Sequence, residues 1–76
     1  METTLYELIT DVLADGALCV IQDNNTNEVI GTVIKNHVDF GIENLSIEDA
    51  ERIVVSHSVK QDEDFTDVEV NFIYVR

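Results

Sequence analysis

Three groups of side chains in this chain have types and spacings that could do chemistry. Glu7, Asp11 and Asp15 recur every fourth residue, Asp62, Glu63, Asp64, Asp67 and Glu69 crowd into one short segment, and Cys19, His37 and His57 are the sole thiol and imidazoles. The second group invites comparison with a calcium loop, because a hard cation takes roughly six to eight oxygen ligands from a short stretch. An EF-hand loop needs glycine at its sixth position and glutamate at its twelfth; counted from Asp62 these are Asp67 and Ile73. Counted from Asp23, Asn25 and Asn27 fall correctly at the third and fifth positions, but Glu28 and Ile34 stand at the sixth and twelfth. Specific calcium binding is therefore not expected.

The thiol and imidazoles lack CxxC or HxxxH spacing, so no metal centre is expected from them. Ser56-His57-Ser58 offers a hydroxyl beside an imidazole, yet neighbours on a strand point to opposite faces, which separates nucleophile from base. No glycine-rich phosphate loop is present, so no cofactor is expected. The chain is read as a non-enzyme, with no catalytic, cofactor-binding or metal-binding residues assigned.

What remains is charge. Sixteen Asp and Glu face four Lys and Arg, a net charge of −12 on 76 residues, beyond the roughly 2–8 charges that keep a small domain soluble. A folded chain of this mass exposes about 4,700 Å², so evenly spread charges would lie about 20 Å apart. That exceeds the Debye length of about 8 Å at physiological salt. The acidity can therefore act in recognition only where it is concentrated on one face.

Four scattered cations cannot neutralise a run of phosphates, so direct nucleic-acid binding is not expected. The opposite relation is more informative. Duplex DNA carries one negative charge per about 1.7 Å of axis, and a compact acidic domain can occupy a protein groove shaped for that field. In charge and size, though in no specific motif, the chain looks like the small acidic nucleic-acid mimics made by phages and mobile elements. The expected function is inhibition through the basic surface of a nucleic-acid-binding protein, with Glu7, Asp11, Asp15, Asp62, Glu63, Asp64, Asp67 and Glu69 as contact residues. The alternative is an accessory or assembly module that binds through a sheet edge or an apolar patch, anchored by Tyr6 or Phe65, its acidity serving solubility and steering. A sheet edge would also offer a route to a homodimer.

The elements that must position these residues are legible in the periodicity. Leu5, Leu8, Ile9, Val12 and Leu13 form one buried stripe of a helix over 4–15, with Thr4-x-x-Glu7 as capping box and Gly16 as stop. Like charges at i, i+4 repel by a few tenths of a kcal/mol, and Asp15 would sit against the unfavourable end of the helix dipole. Two apolar runs, 17–22 and 28–35, flank a turn-forming Asp23-Asn24-Asn25-Thr26-Asn27 cluster and predict a hairpin. Gly31 marks a bulge or a close approach by another element. Ser46-x-x-Asp49 opens a short second helix to about Arg52, followed by a strand over 53–60 and another in which Val68, Val70, Phe72 and Tyr74 make one apolar face. The expected fold is a single α+β domain over 1–76, with about four strands in one antiparallel sheet, helices on one face, and the order α-β-β-α-β-β. The runner-up, α-β-β-α-β, follows if the second helix runs through Val59. One cysteine and the lack of a leader or spanning pattern predict a cytoplasmic protein with no membrane partner.

If the acidic residues are crowded, screening should relieve their repulsion. Raising salt at pH 7 is expected to raise the melting temperature; an unchanged or lower value in thermal scans would show that they are not mutually close.

Overall fold

The structure, a computed structural model, describes residues 2–61 and 69–76. A four-stranded sheet carries two short helical segments, an α+β domain in the order α-β-β-α-β-β. The strands are β1 (Leu18–Asp23), β2 (Val29–Ile34), β3 (Val54–Gln61) and β4 (Glu69–Val75). Their order across the sheet is β2-β1-β4-β3. The two hairpin pairs are antiparallel, but β1 and β4 run parallel at the centre, with Cys19 beside Asn71 and Ile21 beside Ile73. The sheet is mixed, which corrects the expected antiparallel one. The long connection of residues 35–53 lets the second hairpin cross the sheet and set β4 beside β1, and the Ser- and Lys-bearing β3, exposed along almost its whole length, tolerates the edge.

The turn between β1 and β2 is built by Asp23, whose Oδ1 accepts from the backbone N–H of Asn25 at 2.7 Å and Thr26 at 3.2 Å. Asn27 completes it in the left-handed region at φ 62°. The pairing shifts register between Ile21 and Gln22, next to Gly31. A Cβ on Gly31 would meet Leu45 Cδ2 at 3.0 Å, so glycine here admits the connection that crosses the sheet between β2 and β3.

The core lies between the sheet and that helical layer. Cys19, Ile21, Val33, Ile73 and Val75 share one face of the sheet and are closed over by Leu5, Leu8 and Ile9. In β4 the side under the helical layer is therefore that of Asn71, Ile73 and Val75; of the apolar face expected from the sequence, Val70 is buried, Phe72 and Tyr74 are half-buried on the other side, and Val68 lies outside the described residues. Compact β-branched side chains fit beneath a helix, while the larger aromatic rings remain half-buried on the other face. The second helix, α2 (Ile47–Ala50), is capped by Ser46, whose Oγ accepts from the N–H of Asp49 at 3.1 Å. It ends before the β-branched run of residues 53–55, and β3 follows it.

The first helix departs most from expectation. Thr4 caps it, Oγ1 accepting from the N–H of Glu7 at 3.2 Å, but α1 (Leu5–Glu7) opens at once into a π turn, Leu8–Val12, closed by the N–H of Leu13 on the carbonyl of Leu8. The helix thus ends at Val12 instead of 15. Widening the turn brings Leu13 over Leu8 and leaves Val12 66% exposed, outside the stripe it was expected to join. Lys35, arriving from the end of β2, donates from Nζ to the carbonyls of Thr10, at 2.9 Å, and Leu13. It supplies both a donor and a positive charge where the helix presents orphan carbonyls.

Replacing Lys35 by Met should therefore lower the unfolding free energy by about 1–3 kcal/mol, with Lys35→Arg recovering part of the loss. Urea titration of both variants measures it; an unchanged midpoint for the Met variant would mean that water serves those carbonyls equally well.

Candidate functional site

The first helix and the turn after it carry three exposed carboxylates, but not as a ladder. Glu7 belongs to the cap, accepting from the Thr4 hydroxyl at 3.1 Å. Asp11 sits on the π turn beside Thr10, whose hydroxyl lies 3.4 Å from Oδ1. Asp15 lies beyond the helix, in a turn completed by Gly16 at φ 83°, and accepts from Asn36 Nδ2 at 2.6 Å. The four-residue spacing on one helix is corrected accordingly, because the π turn and the Lys35 cap end the helix before Asp15. Asp62, Glu63, Asp64, Asp67 and the candidate anchor Phe65 lie outside the described residues. Glu69, the last of that acidic group, begins β4 opposite Gln61.

The structure nonetheless brings one residue of each acidic group to the same place. Asp15 and Glu69, 54 positions apart by numbering, line the same open hollow of about 450 Å³ at the end of the sheet where β1 and β4 begin, together with Gly16, Leu18 and Gln61. Parallel pairing is what does this. Leu18 stands beside Val70, so the turn leading into β1 and the first residue of β4 must emerge at the same end.

The cations are spent elsewhere. Arg52 reaches Asp23 at 2.5 Å and Asp49 at 3.7 Å, Arg76 pairs with Glu2, and Lys35 serves the helix end. Among the described residues, Glu7, Asp11, Asp15 and Glu69 have no cationic partner. Strand alternation adds a larger asymmetry. The strand carboxylates Asp23 and Glu69 fall on the face that holds the core, in phase with Val75 and Asn71. The opposite face carries Leu18, Val20, Gln22, Thr32, Ile34, Ser56, Ser58, Lys60, Val70, Phe72 and Tyr74, without a carboxylate among the described residues.

The remaining candidates have structural partners. Cys19 is buried, and burial pushes its thiol up to about 11, away from nucleophilic reactivity. His37 Nδ1 accepts from the backbone N–H of Asp39 and Phe40 at 3.0 and 3.1 Å, which fixes the ring in that turn. His57 Nε2 meets Asn71 Oδ1 at 2.8 Å, and Asn71 Nδ2 donates to the Leu18 carbonyl at 3.1 Å, satisfying the one buried polar side chain among the described residues. Sequence reading missed the long-range roles of Lys35, Arg52 and Asn71. A lone Asn in an apolar strand was the one visible signal, since a polar group there needs partners from neighbouring strands.

Asp23 has the clearest electrostatic environment. Its hydrogen bond from Arg52, followed by those from the N–H groups of Asn25 and Thr26, holds the carboxyl below its ordinary value. A depressed folded value means a contribution present above the unfolded pKa of about 3.9 and lost as pH falls through the folded one. In Arg52→Gln the Asp23 carboxyl should titrate closer to its ordinary range, and the acid limb of the stability profile should shift up in pH. Carboxyl carbon NMR would record it, and an unmoved Asp23 titration would assign the depression to the turn amides.

Comparison with known proteins leaves these surfaces to be read from their own chemistry: no family model matches the chain, and no match was found among curated proteins or solved structures.

Proposed function

We propose that this chain is a small protein-binding inhibitor, without catalytic activity, whose acidic side occupies the basic surface of a nucleic-acid-binding protein in place of nucleic acid. The observation that supports this reading most directly is the meeting of Asp15 and Glu69 at one hollow, with Glu7 and Asp11 on the adjoining helix and no cation assigned to any of the four. Carboxylates without cationic partners keep their attraction for an external basic surface, and closely spaced ones steer association by a combined field.

A second reading has its own support. Tyr6 is 53% exposed and lines a hollow of about 400 Å³ with Ile42, Leu45 and Ile47, the last 77% exposed. An aromatic ring beside uncovered aliphatic side chains suits an accessory module that grips an apolar partner segment.

One variant pair separates the readings, using a partner captured from the native host and then purified. The domain alone should leave the fluorescence anisotropy of labelled duplex and single strands unchanged at physiological salt, yet displace both from that partner. Asp11→Lys/Asp15→Lys should weaken binding at least tenfold and flatten its salt dependence. Its effect on stability should be near zero, because Asp15 has left the helix, gives up the Asn36 bond on substitution, and would meet Lys35 nearby. Normal binding by the charge variant together with loss of binding by Tyr6→Ala would favour the accessory module. Micromolar binding of nucleic acid by the domain itself would sink the mimic reading.

A further inference from the structure

The carboxylate-free face of the sheet needs an explanation of its own. At its centre Leu18 stands beside Val70 and Val20 beside Phe72, with Gln22 next to Tyr74. Edge strand β2 adds Thr32 and Ile34, and edge strand β3 adds Ser56, Ser58 and Lys60. Leu18, Val20, Ile34, Phe72 and Tyr74 all keep part of their surface in solvent, while Leu5, Leu8 and Ile9 of the first helix pack on the opposite side. Lys60 is the one charge on this face among the described residues, and its Nζ lies 5.7 Å from the Phe72 ring centre at the β3 edge.

We infer that this face pairs with the same face of a second copy, forming a face-to-face dimer that leaves both acidic sides outward. A two-fold contact must be complementary to itself, and a half-apolar surface without carboxylates among the described residues, whose one charge, Lys60, sits on the edge strand β3, is. An acidic surface is not, and contact through the helical side would bring unpaired carboxylates of both copies together. Stacked sheets lie about 10 Å apart. With a helical layer of about 10 Å outside each sheet, the first-helix carboxylates Glu7 and Asp11 of the two copies end up about 30 Å from one another. Several Debye lengths of about 8 Å then separate them, so these groups oppose the arrangement little. A basic nucleic-acid-binding surface has no counterpart on this face.

The footprint sets the strength. Four strands about 4.8 Å apart and about six residues long at about 3.3 Å each cover roughly 400 Å² per copy. Side-chain relief brings the pair to roughly 1,000 Å² in total, the low end for specific contacts. The dimer is therefore reversible and visible at high micromolar concentration, and it gives the proposed inhibitor two outward acidic sides without depending on that function.

Sedimentation equilibrium from about 10 μM to about 1 mM, at low and at moderate salt, tests it on the whole chain. The weight-average mass should rise from 8.6 kDa toward twice that value, and further with salt. Thr32→Glu/Ser58→Glu places a carboxylate on each side of the central pair at positions exposed in the single copy. It should weaken the dimer at least tenfold, while the melting temperature of dilute protein stays within about 2 °C. A monomer throughout would overturn the inference. So would a dimer that survives the double variant, because its contact would then lie at an edge such as β3.

Discussion

The parallel contact between β1 and β4 is the constraint on which the rest of this structure depends. It sets Cys19 and Ile21 beside Ile73 and Val75 as a continuous floor for Leu5, Leu8 and Ile9. It also leaves β2 and β3 at the edges and requires the chain between them to cross the sheet, where Ile42 and Leu45 pack against the same core. The same contact brings the turn before β1 and the start of β4 to one end, and with them Asp15 and Glu69. Topology, core and acidic site are consequences of a single pairing.

A domain of this size has little core to set against the cost of ordering its chain; among the described residues seven side chains are fully buried. Long-range polar joints therefore carry weight. Three of the four cations connect elements distant in sequence: Lys35 ties the end of β2 to the first helix, Arg52 ties α2 to the β1–β2 turn, and Arg76 ties the last residue to Glu2. A chain with so few cations and so many carboxylates spends them where a contact closes a long loop, since closure is where a join removes the most freedom from the unfolded chain. Among the described residues, the exposed carboxylates at the β1 and β4 end are left without a cationic partner as a result.

Much of this was readable in advance. Both caps, Thr4 and Ser46, the Asp23 turn, the constraint on Gly31 and all four strands follow from local rules, because each depends on residues within a few positions of one another. What was not readable depended on distant residues. The π turn in place of a longer helix needs Lys35, twenty-two positions beyond Leu13, and the parallel pairing needs the relative burial of four strands, which alternation within any one of them does not rank. In β4 both alternating sets are largely apolar, so periodicity could not choose between the Ile73 and Phe72 faces; the compactness of the helical layer did. The acidic site was legible as two groups of residues, and their meeting was not, since no spacing in the chain reports which ends of two strands coincide.

The carboxylates are unevenly divided between the two sides of the sheet. A sequence that used carboxylates only to stay in solution would place some on the outward positions of both edge strands, where they also protect against unwanted pairing. Here those positions hold Thr32, Ser56 and Ser58, with Lys60 the sole charge among the described residues. Hydroxyls at exposed positions beside Val20, Phe72 and Tyr74 discourage neither a second sheet nor water, whereas a glutamate would repel an approaching copy. Small polar residues on one face, and Asp15 and Glu69 at the end of the sheet towards the other, put the proposed dimer contact and the proposed contact with a basic partner on different surfaces of the domain.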